Sequence, residues 1–348
     1  MDVLEVGLLV LAVLLLVAGG SVGIATARPG SDWREAAARP LGILGSAAIG
    51  AGIILFFAAN WSDIPRWLRF GILLAGLVAV LGAAFWLLEV RRIRRNVGHG
   101  LVLVGAVLFG ASLFLVGQTY HVQAHDPLAF LAWSAGALSL ALYFRSPATA
   151  GLAIVAFEAW LVHELVVYDD FDRGLVYVPF ALALYGIALY AVGIAAQPWL
   201  APLRVDGAMR TIGFALAAFM TLVLGFRYAH ASRAAPDGVP LAVLLATGVV
   251  AVVASVAACL RRRGVELLEP LVALLGAVLV LLAALLPQHG REDRFLDFQA
   301  SVYPLLFDSL LVVVIAGAIV LGARRGQLWL SSAAIVIGML AVVLHFLD

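Results

Sequence analysis

The stretch "LVLVGAVLFGASLFLVGQTYHVQAHDPLAFLAWSAGALSLALYF", residues 101–144, contains two long apolar runs separated by a short polar segment. A helix needs about 20 apolar residues, with roughly 17 to 25 tolerated, to cross the hydrocarbon core of a bilayer. In lipid, a helix also satisfies its backbone N–H and C=O groups internally. The stretch therefore predicts two neighbouring transmembrane helices joined by a polar turn.

The composition of the whole chain agrees with a membrane protein. Of its 348 residues, 64% are hydrophobic and 12% are charged, and the mean hydropathy is +1.08. Soluble domains are roughly 45–50% apolar and about 25% charged. The net charge of +1 lacks the basic footprint that binds nucleic acid, so we expect no nucleic-acid partner. The single cysteine, Cys259, excludes an intrachain disulfide framework and a thiolate zinc site.

Twelve apolar runs of this kind follow one another along the chain. They predict an all-α, polytopic transmembrane helix bundle of about twelve spans, with a range of ten to twelve. No polar connection is long enough to form a soluble domain, so residues 1–348 are predicted to be one transmembrane domain. The runs are Val6 to Ile24, Leu41 to Ala59, Leu68 to Val90, Leu101 to Val116, Leu128 to Phe144, Ala148 to Val166, Leu175 to Ala196, Met209 to Phe226, Leu241 to Leu260, Leu267 to Leu286, Pro304 to Leu321 and Leu328 to Leu347.

Two of these boundaries are open to a second interpretation. Only Arg145, Ser146 and Pro147 separate the fifth run from the sixth. The first run could be a cleaved signal peptide, because "ATA" at residues 25–27 resembles a cleavage site. Asp2 and Glu5 precede that run, where a signal peptide carries positive charge. We therefore interpret the first run as a helix.

The arginines predict the orientation of the bundle. Alternate loops hold 15 of the 22 basic residues, all of which are arginine, and the opposite loops hold 7. Basic residues resist translocation, so the Arg-rich loops are predicted to be cytoplasmic and both termini to face outward. The location that follows is a cytoplasmic membrane.

Two of the predicted outward ends share a pattern. A glycine-rich helix ends in Asn60 and Trp61 in one case and in Gln118 and Tyr120 in the other. Small residues let helices approach closely in lipid, so both helices are predicted to pack tightly against neighbours. The polar ends could form an interfacial belt, since aromatic residues prefer headgroup depth, or they could line an outward-facing cavity.

The same stretches resemble the family of predicted prokaryotic membrane proteins called domain of unknown function 2157. The resemblance covers about residues 38–147. It depends on the glycine-rich helix that ends in "ANW" and on "FGASLFLVGQTYH", which is followed by Trp133. Members of that family usually begin with a short soluble helical segment, whereas this chain has an extra apolar run there. The resemblance implies a multi-pass protein of the cytoplasmic (inner) membrane of a prokaryote, and it implies no established activity.

The polar turn at residues 117–127 also offers candidate metal ligands. His121 and His125 are four residues apart and Asp126 follows, a spacing that brings two imidazoles and a carboxylate together if the turn is helical. Pro127 weakens this hypothesis because the residue before a proline avoids the α region. A solvated turn is the alternative, and the sequence predicts no cofactor.

Glu158 is the one carboxylate predicted near the middle of the membrane. It lies ten residues beyond Ala148, about 15 Å along a helix. An acid at that depth is either protonated or paired inside the bundle, so it marks either a proton or substrate pathway or a structural hydrogen bond. Asp308, at the start of the eleventh run, is interpreted as a first-turn acid favoured by the helix dipole.

These features favour a transport function over catalysis. The first hypothesis is a secondary transporter, permease or lipid flippase with Glu158 in the pathway and Asn60, Gln118, Tyr120 and His121 at its outer mouth. The alternative is a non-catalytic assembly, scaffold or sensory membrane protein of the envelope. An enzyme would need a cofactor that the sequence does not show. Membrane lipids and a small solute or lipid substrate are the expected partners, and no feature identifies a protein partner. The predicted interface anchors are Trp61, Trp67, Arg91, Arg92, Arg94 and Arg95.

Overall fold

The computed structural model describes residues 65–120, 127–168, 171–226, 236–286 and 297–347, and these ranges contain helices and no strand. Ten long helices follow the predicted apolar runs from the third to the twelfth. The first two runs lie outside the described residues. The helices are α1 Arg66–Phe85, α2 Arg95–Tyr120, α3 Pro127–Phe144, α4 Pro147–Tyr168, α5 Phe171–Ala195, α6 Asp206–Gly225, α7 Gly238–Arg261, α8 Leu268–Leu285, α9 Asp297–Arg325 and α10 Leu328–Leu347.

Within the described ranges, nine helices, α1 to α9, are long and apolar enough to cross a membrane. In α10 the corresponding apolar segment, Leu328–Leu344, is shorter. The protein is therefore a multi-pass helical membrane protein. The count of twelve spans and the outward termini stay predictions.

A left-handed residue and a proline end α3 and begin α4. Arg145 adopts a left-handed conformation with φ of 51°, and the Ser146 N–H donates to the Ala141 carbonyl at 3.0 Å, which closes the end of α3 as in a Schellman motif. Ser146 then precedes Pro147 at the first position of α4, where proline is well tolerated. The Ser146 Oγ also accepts the Thr149 N–H at 3.5 Å. Two separate helices are thus confirmed at this short turn.

The described part of the chain divides into two compact units, and the first contains residues 65–120, 127–160 and 201–208. Within this unit, α2 packs against α3. Trp133 donates its Nε1–H to the Ala106 carbonyl at 2.8 Å, and its ring lies so close to Gly110 that a Cβ there would meet Cε2 at 2.1 Å. A Cβ on Gly136 would likewise meet Phe109 Cε1 at 2.2 Å. The predicted tight packing of the glycine-rich α2 is confirmed at Gly110.

The second unit contains residues 161–168, 171–200, 209–226, 236–286 and 297–347. Its helices α5 and α6 touch through their backbones. A Cβ on Gly186 would lie 2.6 Å from the Ala217 nitrogen, and a Cβ on Gly213 would lie 2.6 Å from the Tyr190 nitrogen. Small residues permit this close approach in lipid, where apolar burial gives no drive for association. The crossing fixes Tyr190 beside the first turns of α6.

The interpretation of Asp308 as a first-turn acid is wrong. Helix α9 begins at Asp297, so Asp308 is its twelfth residue, and a Cβ on Gly225 would stand 2.3 Å from the Asp308 Oδ1. The apolar run marks where lipid contact can begin, whereas the helix starts earlier because polar residues also form hydrogen-bonded turns. The helix dipole therefore does not account for this carboxylate.

Candidate functional site

A cavity of about 480 Å³ lies among five helices of the second unit. Its walls are almost entirely aliphatic and aromatic, with Thr221, Tyr190 and Glu269 as the exceptions. Small-molecule sites typically have volumes of roughly 300 to 1,000 Å³ and combine apolar walls with a few convergent polar groups. The lining residues are Ile187, Tyr190, Phe214, Ala217, Ala218, Thr221, Leu268, Glu269, Val272, Ala273, Gly276, Leu310, Val313, Val314, Ala316, Gly317, Ala318, Val320, Leu321 and Leu330.

Part of the cavity wall also reaches the surface of the protein. Val313 and Val320 on α9 are each 52% exposed, and Leu268 at the start of α8 is 56% exposed. These side chains lie on helices that can cross the membrane. The cavity is therefore a crevice that opens on the exposed side of these helices.

Four side chains form a charged network at one end of the cavity, and we call it the Glu269 cluster: Tyr190, Arg210, Glu269 and Arg325. The Tyr190 hydroxyl donates to Glu269 Oε1 at 2.5 Å. Arg210 Nη2 lies 3.5 Å from the same oxygen, and Arg325 Nη2 lies 2.7 Å from Glu269 Oε2. Both carboxylate oxygens therefore face cationic or hydrogen-bonding groups.

The helix order brings these residues together. Arg210 is in the second turn of α6 and Glu269 is the second residue of α8, while Tyr190 and Arg325 lie near the carboxyl ends of α5 and α9. Consecutive spans run in opposite directions, so these four ends are found at the same end of the bundle. Glu269 near an N-terminus and Arg325 at a C-terminus also suit the helix dipoles.

The end of α9 holds Arg325 in place. Gly326 adopts a left-handed φ of 65°. The Gln327 N–H donates to the Gly322 carbonyl at 2.8 Å, and the Gly326 N–H donates to the Ala323 carbonyl at 3.4 Å. These bonds define a Schellman motif, in which glycine avoids the strain that a Cβ would introduce. The chain therefore turns directly after Arg325.

The charged side chains of the Glu269 cluster are largely buried. The Glu269 side chain is 3% exposed, and those of Arg210 and Arg325 are 11% and 19% exposed. Ionised groups removed from water are stable only when they are paired and hydrogen-bonded. The Arg210 Nε has no hydrogen-bond partner in the part of the chain that the structure describes. The network therefore has a spare buried donor next to the cavity.

An exposed ion pair lies beyond the Glu269 cluster on the same side of the second unit. Arg262 Nη1 donates to Glu266 Oε2 at 2.6 Å, and Arg262 Nη2 donates to Gln197 Oε1 at 3.1 Å. The Arg262 guanidinium lowers the pKa of Glu266, mainly through the hydrogen bond, with Arg325 contributing a smaller electrostatic effect. The Arg261 guanidinium stacks over Trp199, 4.6 Å from the ring centroid. Arginine and tryptophan at this depth are typical of a headgroup interface.

The structure places Glu158 in α4, where it is buried with 7% exposure. Its Oε2 has no hydrogen-bond partner among the described residues. It belongs to the first unit, whereas the Glu269 cluster belongs to the second. Its role in a proton or substrate pathway stays a prediction.

The other predicted pathway residues are less fully described. Gln118 and Tyr120 occupy the last turn of α2. Asn60, Trp61, His121, His125 and Asp126 lie outside the described residues, so the outer mouth and the metal site stay predictions. Elsewhere in the described ranges, no group of three or more His, Cys, Asp or Glu residues is placed to hold a metal.

The predicted interface anchors lie at the ends of α1 and α2. Trp67 is 73% exposed, and the Arg91 guanidinium stacks over the Trp86 ring at 5.0 Å. Arg92, Arg94 and Arg95 are also exposed. Their accessibility agrees with headgroup contact, and lipid binding by them stays a prediction.

Sequence reasoning missed the Glu269 cluster. From the sequence, Arg210 and Arg325 serve only as orientation signals, and no role is predicted for Glu269 or Tyr190. One local signal was available, because Glu269 is an acid at the start of an apolar run on the Arg-rich side of the bundle. The partners of Glu269 could not be read from the sequence because they come from three other helices.

Comparison with known proteins supports the resemblance described above. The model of the family described as "Predicted membrane protein (DUF2157)" matches residues 24–150. This match confirms the similarity to domain of unknown function 2157, and the matched range includes Gly110 and Trp133. Neither the curated proteins nor the solved structures contain a match to the chain. The Glu269 cluster lies outside the matched residues.

Proposed function

We propose that this protein is a permease or lipid flippase of the secondary-transport kind, and that its substrate is amphipathic. The observation that carries the proposal is the apolar crevice of about 480 Å³ that ends at the Glu269 cluster. One end suits a polar or ionised group, and the remainder suits a hydrocarbon chain. The proposed location is the cytoplasmic membrane of a prokaryote.

The walls of the crevice argue for an amphipathic substrate over a small hydrophilic one. A polar group buried without a hydrogen bond costs about 1–3 kcal/mol in proteins. Among the described residues, Thr221 is the only polar side chain along most of the crevice, and its hydroxyl already donates to the Ala217 carbonyl at 2.7 Å. A sugar or an inorganic ion would therefore lose its hydration there without compensation, whereas an acyl chain would not.

Glu158 is the proposed coupling group. A carboxylate inside a membrane span is costly unless it is protonated or paired, and such residues commonly belong to proton relays. The buried position of Glu158, and an Oε2 with no hydrogen-bond partner among the described residues, support a group that exchanges a proton during transport. Asn60, Gln118, Tyr120 and His121 remain the proposed outer mouth of the pathway.

The proposal is tested by reconstituting the purified protein into liposomes with a fluorescent phospholipid analogue. We expect faster movement of the analogue between leaflets than in protein-free liposomes, and a dependence of that rate on an imposed pH gradient. Glu158→Gln should abolish the pH dependence without loss of folded protein. Glu164→Gln, an equivalent change at the end of the same helix, is the matched control.

Two results would count against the proposal. If the analogue moves no faster than in protein-free liposomes, a transport function is refuted, and co-purification of specific envelope proteins would then favour the scaffold alternative. If Glu158→Gln and Glu164→Gln behave alike in a transporting protein, Glu158 is not the coupling group.

A further inference from the structure

The two arginines of the Glu269 cluster lie on the same helix faces as the cavity walls. Arg210 is four residues before Phe214 on α6, and Arg325 is four residues after Leu321 on α9. Residues four apart are neighbours on one face of a helix. The arginines therefore lie one turn from the hydrocarbon part of the crevice, at the depth where an amphiphile within it would carry its headgroup.

The charge at this end of the crevice is positive. Ion pairs and electrostatic neighbours connect five groups here: Arg210, Arg262, Arg325, Glu266 and Glu269. Three of them are cationic and two are anionic, so their sum is +1. An anionic headgroup would neutralise this charge, whereas a cationic headgroup would increase it.

The hydrogen-bonding capacity of Arg210 also favours an anionic headgroup. Arginine provides five N–H donors and no acceptor. Arg210 is only 9% exposed, its Nε has no partner among the described residues, and its Nη2 lies 3.5 Å from Glu269, at the limit of hydrogen bonding. An oxygen-rich anion such as a phosphate would accept the hydrogen bonds that this guanidinium still has to donate.

The acyl chain of a lipid cannot by itself make the crevice prefer one lipid over another. Lipid tails are as apolar as leucine side chains, so moving a chain from the bilayer into the crevice gains no hydrophobic free energy. Selection must then come from the headgroup and the Glu269 cluster. This is why the charge of the cluster, more than the volume of the crevice, determines the ligand class.

We propose that the crevice binds an anionic phospholipid, with one acyl chain against the apolar walls and the phosphate between Arg210 and Arg325. The inference rests on the proposed function in taking the crevice as the substrate site. Glu269 acts as an internal counter-ion, which keeps the two guanidiniums in place when no lipid is bound. The bound phosphate adds a second anion to a cluster that otherwise carries an excess of positive charge.

The test measures lipid binding to the purified full chain in a neutral detergent by native mass spectrometry. Phosphatidylglycerol and phosphatidylcholine with identical acyl chains are compared, and inorganic phosphate is added as a competitor in a separate series. We expect phosphatidylglycerol to bind at least about tenfold more tightly, which corresponds to roughly 1.4 kcal/mol. Arg325→Gln should remove this preference, and Arg324→Gln, at the exposed neighbouring position, should retain it.

A second readout separates a binding role from a structural one. In Glu269→Gln, the two arginines lose their counter-ion, so phosphatidylglycerol should restore thermal stability to this variant and phosphatidylcholine should not. A purely structural cluster would give no difference between the two lipids. The use of stability in place of affinity keeps the test informative even when the variant is weakly folded.

The outcomes distinguish this inference from the proposed function. Equal binding of the two lipids, or equal effects of Arg324→Gln and Arg325→Gln, overturns the anionic-lipid inference even if the protein transports lipid. Competition by inorganic phosphate at concentrations comparable to those of the lipid also overturns it, because the site would then bind a free phosphate ion and not a phospholipid. A clear preference without movement between leaflets supports the inference and refutes the transport function.

Discussion

Replacement of Glu269 by glutamine tests the energetic role of the Glu269 cluster. The carboxylate is 3% exposed and lies within 3.5 Å of one guanidinium and 2.7 Å of another. An amide of the same shape cannot neutralise them, and arginine cannot lose its proton in a protein. Removing one partner of a buried ion pair typically costs about 3–5 kcal/mol. The Arg325 side chain is 19% exposed and can turn towards water. We therefore expect the free energy of unfolding to fall by an amount near the lower end of this range, about 3 kcal/mol.

The assay is unfolding by sodium dodecyl sulfate in mixed micelles without added lipid, followed by circular dichroism. Glu266→Gln is the matched control, since it removes a carboxylate that is 51% exposed and pairs with Arg262 in solvent. A double-mutant cycle with Arg325→Gln then isolates the interaction energy between Glu269 and Arg325. Residues in contact typically have interaction energies of about 0.5–3 kcal/mol. If Glu269→Gln is no more destabilising than Glu266→Gln, or if the cycle gives no interaction energy, the buried ion network described here is incorrect.

Three further predictions concern packing and pH. Gly110→Ala places a Cβ against the Trp133 ring and should lower the free energy of unfolding by about 1–3 kcal/mol through overpacking. In Gly117→Ala on the same helix, the new Cβ meets no atom of the described residues within 4 Å, so this control should be nearly neutral in the same unfolding assay. Gly213→Leu should force α5 and α6 apart, because a Cβ at this position meets backbone atoms of α5. A disulfide between two cysteines introduced on either side of this crossing should then form more slowly than in the protein with Gly213. An unchanged rate would refute the close approach of the two helices. Since Arg262 lowers the pKa of Glu266 from its usual value of 4.5, the stability from this pair should be fully present above that value and be lost as the pH falls through the lowered pKa. The thermal midpoints of wild type and Glu266→Gln should therefore converge in acid, and a constant difference down to low pH would contradict the pair.

The sequence predicted the helices well because the bilayer imposes a simple length rule. Every predicted run from Leu68 onward coincides with a helix, since a span needs a minimum number of apolar residues. The failure at Asp308 shows the limit of this rule. Hydropathy reports where a helix enters lipid, and α9 begins eleven residues before that carboxylate.

The motif shared with domain of unknown function 2157 also became interpretable only in three dimensions. Phe109, Gly110 and Trp133 were recognisable as a pattern, but the sequence did not show that Gly110 faces the Trp133 ring or that the indole donates to the Ala106 carbonyl. The described part of the motif therefore packs α2 against α3. A catalytic role is not needed to explain why these residue types occur there.

The amino-acid sequence by itself determined that this is a helical, multi-pass membrane protein, because apolar length and polar breaks are local properties of the chain. Only the tertiary structure decided which polar residues meet. Glu269 is 59 residues from Arg210 and 56 from Arg325 in the sequence, and contact between them depends on how each helix is rotated about its axis. In a membrane, the lipid-facing and protein-facing sides of a helix are both apolar, so the sequence pattern carries little information about that rotation.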